Sequence, residues 1–182
     1  HSDSRRQRQM CIRDSDYTEK EINSNFPLTC AVGKSSSSKP KVIEITNRKL
    51  SKKDKPLVII GKGVTFDTGG VNIKPGTSMR NMKKDMGGSA IAISLFLLAN
   101  YFLKKTKIVL IAPIAENAIS SKSMRPGDVY SSVSGKSVEI AHTDAEGRLL
   151  LADAIEKASS YNPSMIIDCL LYTSDAADEN PS

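Results

Sequence analysis

The sequence predicts an α/β domain built on a mixed, largely parallel sheet flanked by helices. Apolar runs of strand length occur at 57–60, 108–112 and 165–168. The first two are rich in β-branched residues, as is typical of strands buried on both faces. Segments of helical length, 86–103 and 148–161, lie between these runs. Alternating strands and helices favour parallel pairing, because parallel neighbours need a connection that crosses over the sheet.

The two ends of the chain predict a natural segment shorter than 182 residues. Residues 5–14 read RRQRQMCIRD and residues 169–179 read CLLYTSDAADE. One strand of a single oligonucleotide can encode residues 5–14. The complementary strand, slightly extended, can encode residues 169–179. This DNA resembles a common transposase adapter of sequencing libraries. We therefore expect 1–15 and 169–182 to be translated adapter and 16–168 to be genuine protein.

Composition limits the classes of function. The formal net charge is +6, and lysines are concentrated between residues 39 and 55. We expect no nucleic-acid partner, because no aromatic residues are interleaved with these lysines and solvated loops explain them. Cys30 is the only cysteine of the expected natural segment. It cannot form an internal disulfide, which fits a reducing compartment.

The first elements in chain order precede a glycine-rich segment. Residues 28–32 form a short apolar run, and residues 42–46 alternate as in a half-buried strand. The buried strand at 57–60 then leads into GKGVTFDTGG at 61–70, which we expect to form a corner just past the strand.

Residues 86–103 are apolar on nearly every side. A membrane helix is one interpretation of this segment. Ser89, Ser94 and Asn100 shorten the apolar span below what a bilayer requires. We therefore expect a central helix covered by its neighbours and no membrane partner.

The second half of the chain predicts a strand at 108–112 that ends at Pro113, followed by turn signals around 129–133 and 138–140. A helix is predicted over 148–161, and the apolar residues of its buried face are Leu151, Ala154, Ile155 and Ala158. A final strand begins at Met165.

Four carboxylates lie in glycine-lined settings near predicted strand ends or a predicted helix start: Asp67, Asp85, Asp144 and Glu146. In parallel sheets, sites form beyond the carboxyl ends of the strands. In an extended segment Asp144 and Glu146 would point the same way, and Gly147 would allow a tight turn beside them. Two divalent cations would balance the four charges, and oxygen ligands suit Mn²⁺ or Mg²⁺, with Zn²⁺ also acceptable.

Three cationic residues near these acids each have two interpretations. Lys62 is either a salt-bridge partner, which the residues alone favour, or a metal ligand through its neutral amine. Lys74 is either a surface lysine or a cation aimed at developing oxyanion charge. Arg148 either pairs with an acid or holds a planar bidentate anion.

Four segments carry a resemblance to a known family: GKGVTFDTGG, NIKP, MKKDMGGSA and HTDAEGRLLLADA. In this order they closely resemble the leucyl aminopeptidase family, also called cytosol aminopeptidases. The resemblance extends from about Leu28 to Asp168, so that 16–168 is similar to part of a metallopeptidase catalytic domain.

The resemblance implies metal ligands at Lys62, Asp67, Asp85, Asp144 and Glu146. It makes Lys74 and Arg148 the catalytic pair and places Lys74, Met82 and Asp85 against the substrate. The implied reaction is two-metal hydrolysis of the N-terminal residue, leucine-like by preference, from peptides with a free N-terminus. The implied cofactors are two Mn²⁺ or Zn²⁺ ions and bicarbonate, and the implied assembly is a cytoplasmic homohexamer.

The chain departs from the family's pattern in two respects. His142 stands where the family usually has Asn; its two interpretations are a metal ligand and a support for the Asp144 loop, and we expect the second. The family also has a separate N-terminal domain and a segment beyond Asp168 that shapes the substrate pocket. We therefore expect this chain itself to be inactive. The alternative function is that of a non-catalytic binding or scaffold member of the same fold.

Overall fold

The structure is a computed structural model that describes residues 13–14 and 17–170. Its main sheet has six strands: β1 (Arg13–Asp14), β2 (Lys41–Thr46), β3 (Leu57–Gly61), β4 (Gly63–Asp67), β5 (Ile108–Asn117) and β8 (Met165–Cys169). The order is β1-β2-β5-β3-β8, and β4 also pairs with β5. The pairs β3/β5, β3/β8 and β4/β5 are parallel, whereas β1/β2 and β2/β5 are antiparallel. The predicted mixed, largely parallel sheet is confirmed.

Helices cover both faces of the sheet. They are α1 (Glu19–Asn25), α2 (Pro27–Gly33), the single turn α3 (Gly76–Met79), α4 (Gly87–Phe102) and α5 (Glu146–Ser159), with a 3₁₀ helix at Met82–Met86 before α4. Helix α1 begins with a capping box in which Thr18 and Glu21 satisfy each other's backbone N–H groups.

Strands β3 and β5 supply the centre of the core, because successive residues face opposite sides of the sheet. Val58, Ile60, Val109 and Ile111 pack with α1 and α5, whereas Ile59, Ile108 and Leu110 pack with α4. All seven side chains are fully buried. The continuous apolar runs therefore serve two cores at once.

The glycine-rich segment differs from the predicted corner. Residues Gly63–Asp67 form strand β4, so Asp67 is the last residue of its own strand. Strand β5 continues past Pro113 to Asn117, contrary to the prediction that it ends there. On one side of β5, Pro113 lies between the residues that pair with β3 and those that pair with β4; on the other side it is paired with Val42 of β2.

The segment before the last site residues also differs from expectation. Strands β6 (Val129–Ser131) and β7 (Ser137–Glu139) form a separate antiparallel hairpin. The apolar run 138–140 that precedes Asp144 and Glu146 thus belongs in part to this hairpin and not to the main sheet. In α5 the predicted face is buried at Leu151, Ala154 and Ala158, but Ile155 is exposed.

Helix α4 is only partly covered in the part of the chain that the structure describes. Ala92, Phe96 and Ala99 pack on the sheet, whereas Ile91, Leu97, Leu98, Tyr101 and Phe102 are exposed. The expectation of a helix covered on all sides is wrong for these residues. By length and composition, Met82–Phe102 is one segment apolar enough to span a membrane. Its packing against β3 and β5 favours a helix of the core.

Most of the predicted adapter-derived residues lie outside the described residues, and their origin stays a prediction.

Candidate metal centre

The four predicted carboxylates come together at the edge of the sheet where β4 ends. Asp67 is the last residue of β4, Asp85 lies on the 3₁₀ helix, Asp144 lies in the loop before α5, and Glu146 is the first residue of α5. One oxygen each of Asp67, Asp144 and Glu146 lie within 4.8 Å of one another. Asp85 is fully buried and joins the group through Lys62.

Lys62 lies between two of the carboxylates. Its Nζ donates to Asp85 Oδ1 at 2.9 Å and lies 3.0 Å from Glu146 Oε1. Burial alone would lower the pKa of Lys62, but the charges of Glu146 and Asp85 outweigh burial and raise this pKa. The structure thus shows the salt bridge that the residues alone favoured, and a ligand role for the neutral amine stays a prediction.

Gly147 leaves room for this lysine. A Cβ atom at Gly147 would lie 2.8 Å from Lys62 Cε, so a side chain there would displace Lys62. Gly147 is part of helix α5 and not of a tight turn, and the extended Asp144–Glu146 segment that we predicted is not formed. The glycine is needed for close packing and not for its backbone freedom.

Lys74 lies between the other two carboxylates. Its Nζ is 2.7 Å from Asp144 Oδ1 and 3.4 Å from Asp67 Oδ2, and the residue is 4% exposed. Burial would lower the pKa of Lys74, but the hydrogen bond to Asp144 and the charge of Asp67 raise it. Lys74 is therefore a buried ammonium group, and the alternative of a surface lysine is excluded.

Two lysines do not neutralise four carboxylates. Burial first, and then the charge of Asp67, raise the pKa of Glu146 to about 8. Burial also raises the pKa of Asp85. Glu146 Oε2 is buried without a hydrogen-bond partner among the described residues. Converging carboxylates with an unused buried oxygen fit divalent cations, which would supply the missing positive charge.

The remaining predicted site residues and His142 differ in their exposure to solvent. Met82 is buried one 3₁₀ turn before Asp85, so both lie on the same face of that helix. Arg148 is exposed in the first turn of α5. His142 is exposed, and its Nδ1 accepts a hydrogen bond of 3.2 Å from the backbone N–H of Asp144. This contact is in line with the expected support of the Asp144 loop.

Sequence reasoning did not find Asn117, the last residue of β5. It is 2% exposed, and its Nδ2 donates to Asp67 Oδ1 at 2.8 Å. The only signal in the sequence was a polar residue at the end of an apolar strand. Because we ended that strand at Pro113, the signal was not used.

The topology and the carboxylate cluster define the class: an α/β protein with a candidate divalent-metal centre at the ends of its sheet strands. The profile described as "Cytosol aminopeptidase family, catalytic domain" matches residues 3–177. The chain belongs to this family.

Individual relatives agree with this assignment. The chain is 48% identical over 143 residues to a "Probable cytosol aminopeptidase" of Corynebacterium efficiens, covering 79% of this chain and 28% of the relative. The crystal structure of cytosol aminopeptidase from Coxiella burnetii has a TM-score of 0.81 and 37% identity, covering 92% and 36% of the two chains. For leucyl aminopeptidase from Trypanosoma brucei in complex with bestatin, the TM-score is 0.79 and the identity 31%, covering 88% and 32%. The chain spans about a third of the length of these relatives.

Proposed function

We propose that the complete protein is a metal-dependent aminopeptidase that removes the N-terminal residue, leucine-like by preference, from peptides. One observation carries the proposal: oxygens of Asp67, Asp144 and Glu146 converge within 4.8 Å in a chain of this family. Asp85 and Lys62 would complete the set of residues that hold the metal ions. Mn²⁺ or Zn²⁺ would supply Lewis acidity and an activated water nucleophile.

The chain's own residues define the remaining roles. The neighbouring carboxylates keep Lys74 protonated, so its ammonium group can stabilise negative charge that develops on the scissile carbonyl oxygen. The exposed guanidinium of Arg148 suits a planar bidentate anion, and we propose bicarbonate there as a proton acceptor. Met82 and the stem of Lys74 would form an apolar wall for the first side chain of the substrate.

The proposal extends to the complete protein's surroundings. A cytoplasmic homohexamer acting on peptides with a free N-terminus is supported by the family resemblance. We expect no activity from the 182-residue chain alone, because it spans only about a third of its relatives. Measurable turnover of leucine p-nitroanilide by this chain would contradict that expectation.

The test uses the product of the complete gene, numbered here as in this chain. It should hydrolyse leucine p-nitroanilide, lose this activity to a chelator and regain it with Mn²⁺ or Zn²⁺. The matched control is N-acetyl-leucine p-nitroanilide, which lacks the free amine and should not be cleaved. A product that binds two metal ions but cleaves no unblocked peptide would favour the scaffold alternative instead.

A further inference from the structure

The ends of β4 and β5 are joined by one buried side chain amide. Asp67 and Asn117 are paired across the two strands. Asn117 Nδ2 donates to Asp67 Oδ1 at 2.8 Å and to the carbonyl oxygen of Thr143 at 3.1 Å. The same amide group therefore contacts one carboxylate of the cluster and the residue before Asp144.

Thr143 extends this connection to a third segment. Its hydroxyl donates to the carbonyl of Gly69 at 2.6 Å and accepts from the N–H of Asn72 at 2.9 Å. The N–H of Thr143 donates to Asn72 Oδ1 at 2.9 Å. Thr143 is fully buried, so these bonds are protected from water. The segment that they hold leads directly to Lys74.

The hydrogen bond from Asn117 to Asp67 is compatible with Asp67 acting as a metal ligand. Asp67 Oδ1 receives two neutral donors, the amide of Asn117 and the backbone N–H of Gly69, both at 2.8 Å. Two neutral donors fix the orientation of the carboxylate without adding a positive charge that would compete with a cation. Asp67 Oδ2 faces the cluster, 3.4 Å from Lys74 Nζ.

We propose that Asn117 is a positioning residue of the metal centre: its one amide group sets the orientation of Asp67 and the position of the Asp144 loop. The proposal rests on the proposed function for its metal ions and goes beyond it in assigning Asn117. Asn117 acts through Asp67 and Thr143 and contacts neither substrate nor metal.

The chain offers a matched control in Asn47. This asparagine is also buried, at 5% exposed, and lies near the opposite end of β5. Its Nδ2 donates to Asn100 Oδ1 and to the carbonyl of Thr106, and its Oδ1 accepts from the N–H of Ile108. The two asparagines thus have similar burial and bonding, but only Asn117 is near the carboxylates.

The experiment measures Mn²⁺ binding by calorimetry to the metal-stripped product of the complete gene. Asn117→Ala should weaken Mn²⁺ binding about 10- to 100-fold, the usual effect of losing a residue that orients a ligand. Asn47→Ala should lower the Tm but leave Mn²⁺ affinity unchanged. Asn117→Thr, which suits a strand end and retains one donor, should weaken binding less than Asn117→Ala. If Asn117→Ala does not fold, the Mn²⁺ affinity of Asn117→Thr tests the proposal in its place.

Unchanged Mn²⁺ affinity in a folded Asn117 variant would overturn the proposal, as would equal losses in Asn117→Ala and Asn47→Ala. Failure of the proposed function looks different. In that case the wild-type protein binds Mn²⁺ and Asn117→Ala weakens this binding, but neither protein cleaves leucine p-nitroanilide.

Discussion

Two buried acidic sites in this chain differ in how fully hydrogen bonds and positive charges satisfy their carboxylates: Glu44 and the candidate metal centre. Glu44 is 6% exposed and accepts hydrogen bonds from the hydroxyls of Tyr17 and Tyr161, one at each oxygen, with Lys157 Nζ 3.6 Å away. In the candidate metal centre, four carboxylates share two lysines, and Glu146 Oε2 has no hydrogen-bond partner in the part of the chain that the structure describes.

The difference separates a structural acid, Glu44, from the proposed metal ligands. The two tyrosines satisfy Glu44, and burial together with that acid raises the pKa of Tyr17 and Tyr161, so both stay protonated donors. These contacts join Glu44 of β2 to Tyr17, just before α1, and to Lys157 and Tyr161 at the end of α5. In the candidate metal centre, two lysines of the described residues contact four carboxylates, and a cation would offset the remaining negative charge.

The largest effect is expected at Glu146. Glu146→Gln should lower kcat/KM of the complete protein by on the order of a thousand-fold, because the loss of a proposed metal ligand would remove several kcal/mol of transition-state stabilisation. Above about pH 8, where Glu146 is charged in the native protein, the same change should raise the Tm of the metal-free protein, since a neutral amide replaces a carboxylate that burial destabilises. Leucine p-nitroanilide kinetics and thermal melts check both. A fall in both activity and metal-free Tm would show that Glu146 is structural, like Glu44.

The pH dependence of metal-free stability follows from the same carboxylate. The native pKa of Glu146 is about 8, above its ordinary 4.5. Between these values the native state holds a proton that the unfolded state lacks, so stability falls as pH rises from about 5 to 8. Asp153 has a raised pKa of about 6, so it adds a further decrease in stability as the pH rises towards 6. Urea unfolding of the metal-free 182-residue chain measures both.

Glu146→Gln sharpens this pH test. It should reduce the fall between pH 6 and pH 8 and leave the contributions of Asp153 and Asp85, whose pKa values are also raised. Metal-free stability that stays constant or rises between pH 6 and pH 8 in the wild-type chain would contradict the account.

Glu44 should behave in the opposite way. Glu44→Gln retains the shape but loses the charge that both tyrosines contact, and should destabilise the protein by about 1–3 kcal/mol. Mn²⁺ affinity should stay within about two-fold of wild type, since Glu44 is not part of the centre. Urea unfolding and calorimetry measure the two quantities. A large loss of Mn²⁺ binding would remove the distinction between the two groups.

The smallest effect is expected at Lys157, whose side chain is 25% exposed. It lies over the rings of Tyr17 and Tyr161 and near Glu44. Lys157→Met should cost at most about 1 kcal/mol, as is usual for partly exposed ion pairs and cation–π contacts. A loss above about 2 kcal/mol in urea unfolding would show that Glu44 depends on this lysine for its charge balance.

The sequence predicted the parts of the fold that depend on local pattern. Continuous apolar runs identified β3 and the beginning of β5, because strands buried on both faces need such runs, and a shorter apolar run identified β8, which is only partly buried. The glycines of residues 61–70 suggested a corner, but Val64 packs in the core and the segment pairs with β5 as β4. Tertiary pairing decided this element, and no local signal opposed the corner.

Other elements carried signals that we did not use. The capping box of Thr18 and Glu21 marks the start of α1 in a segment that otherwise appeared uninformative. The exposed stripe on α4 could not be predicted, because an all-apolar helix does not indicate which of its faces meets the sheet.

In the site, too, the sequence indicated which residue types take part but not the geometry that brings them together. The acids, Lys62 and Lys74 could be named from the motifs that resemble the family, whereas the residues alone left each lysine with two interpretations. Asn117 could not be named, because its role depends on the register between β4 and β5. The α5 geometry at Glu146 also required the structure, since the spacing to Asp144 suits an extended segment equally well.

Anomalous diffraction from crystals of the complete protein soaked in Mn²⁺ tests the central claim most directly. The account predicts two manganese peaks among the oxygens of Asp67, Asp85, Asp144 and Glu146, with Asp67 and Glu146 between the ions. No manganese peak at this cluster, with Lys62 and Lys74 still bridging the carboxylates, would contradict it.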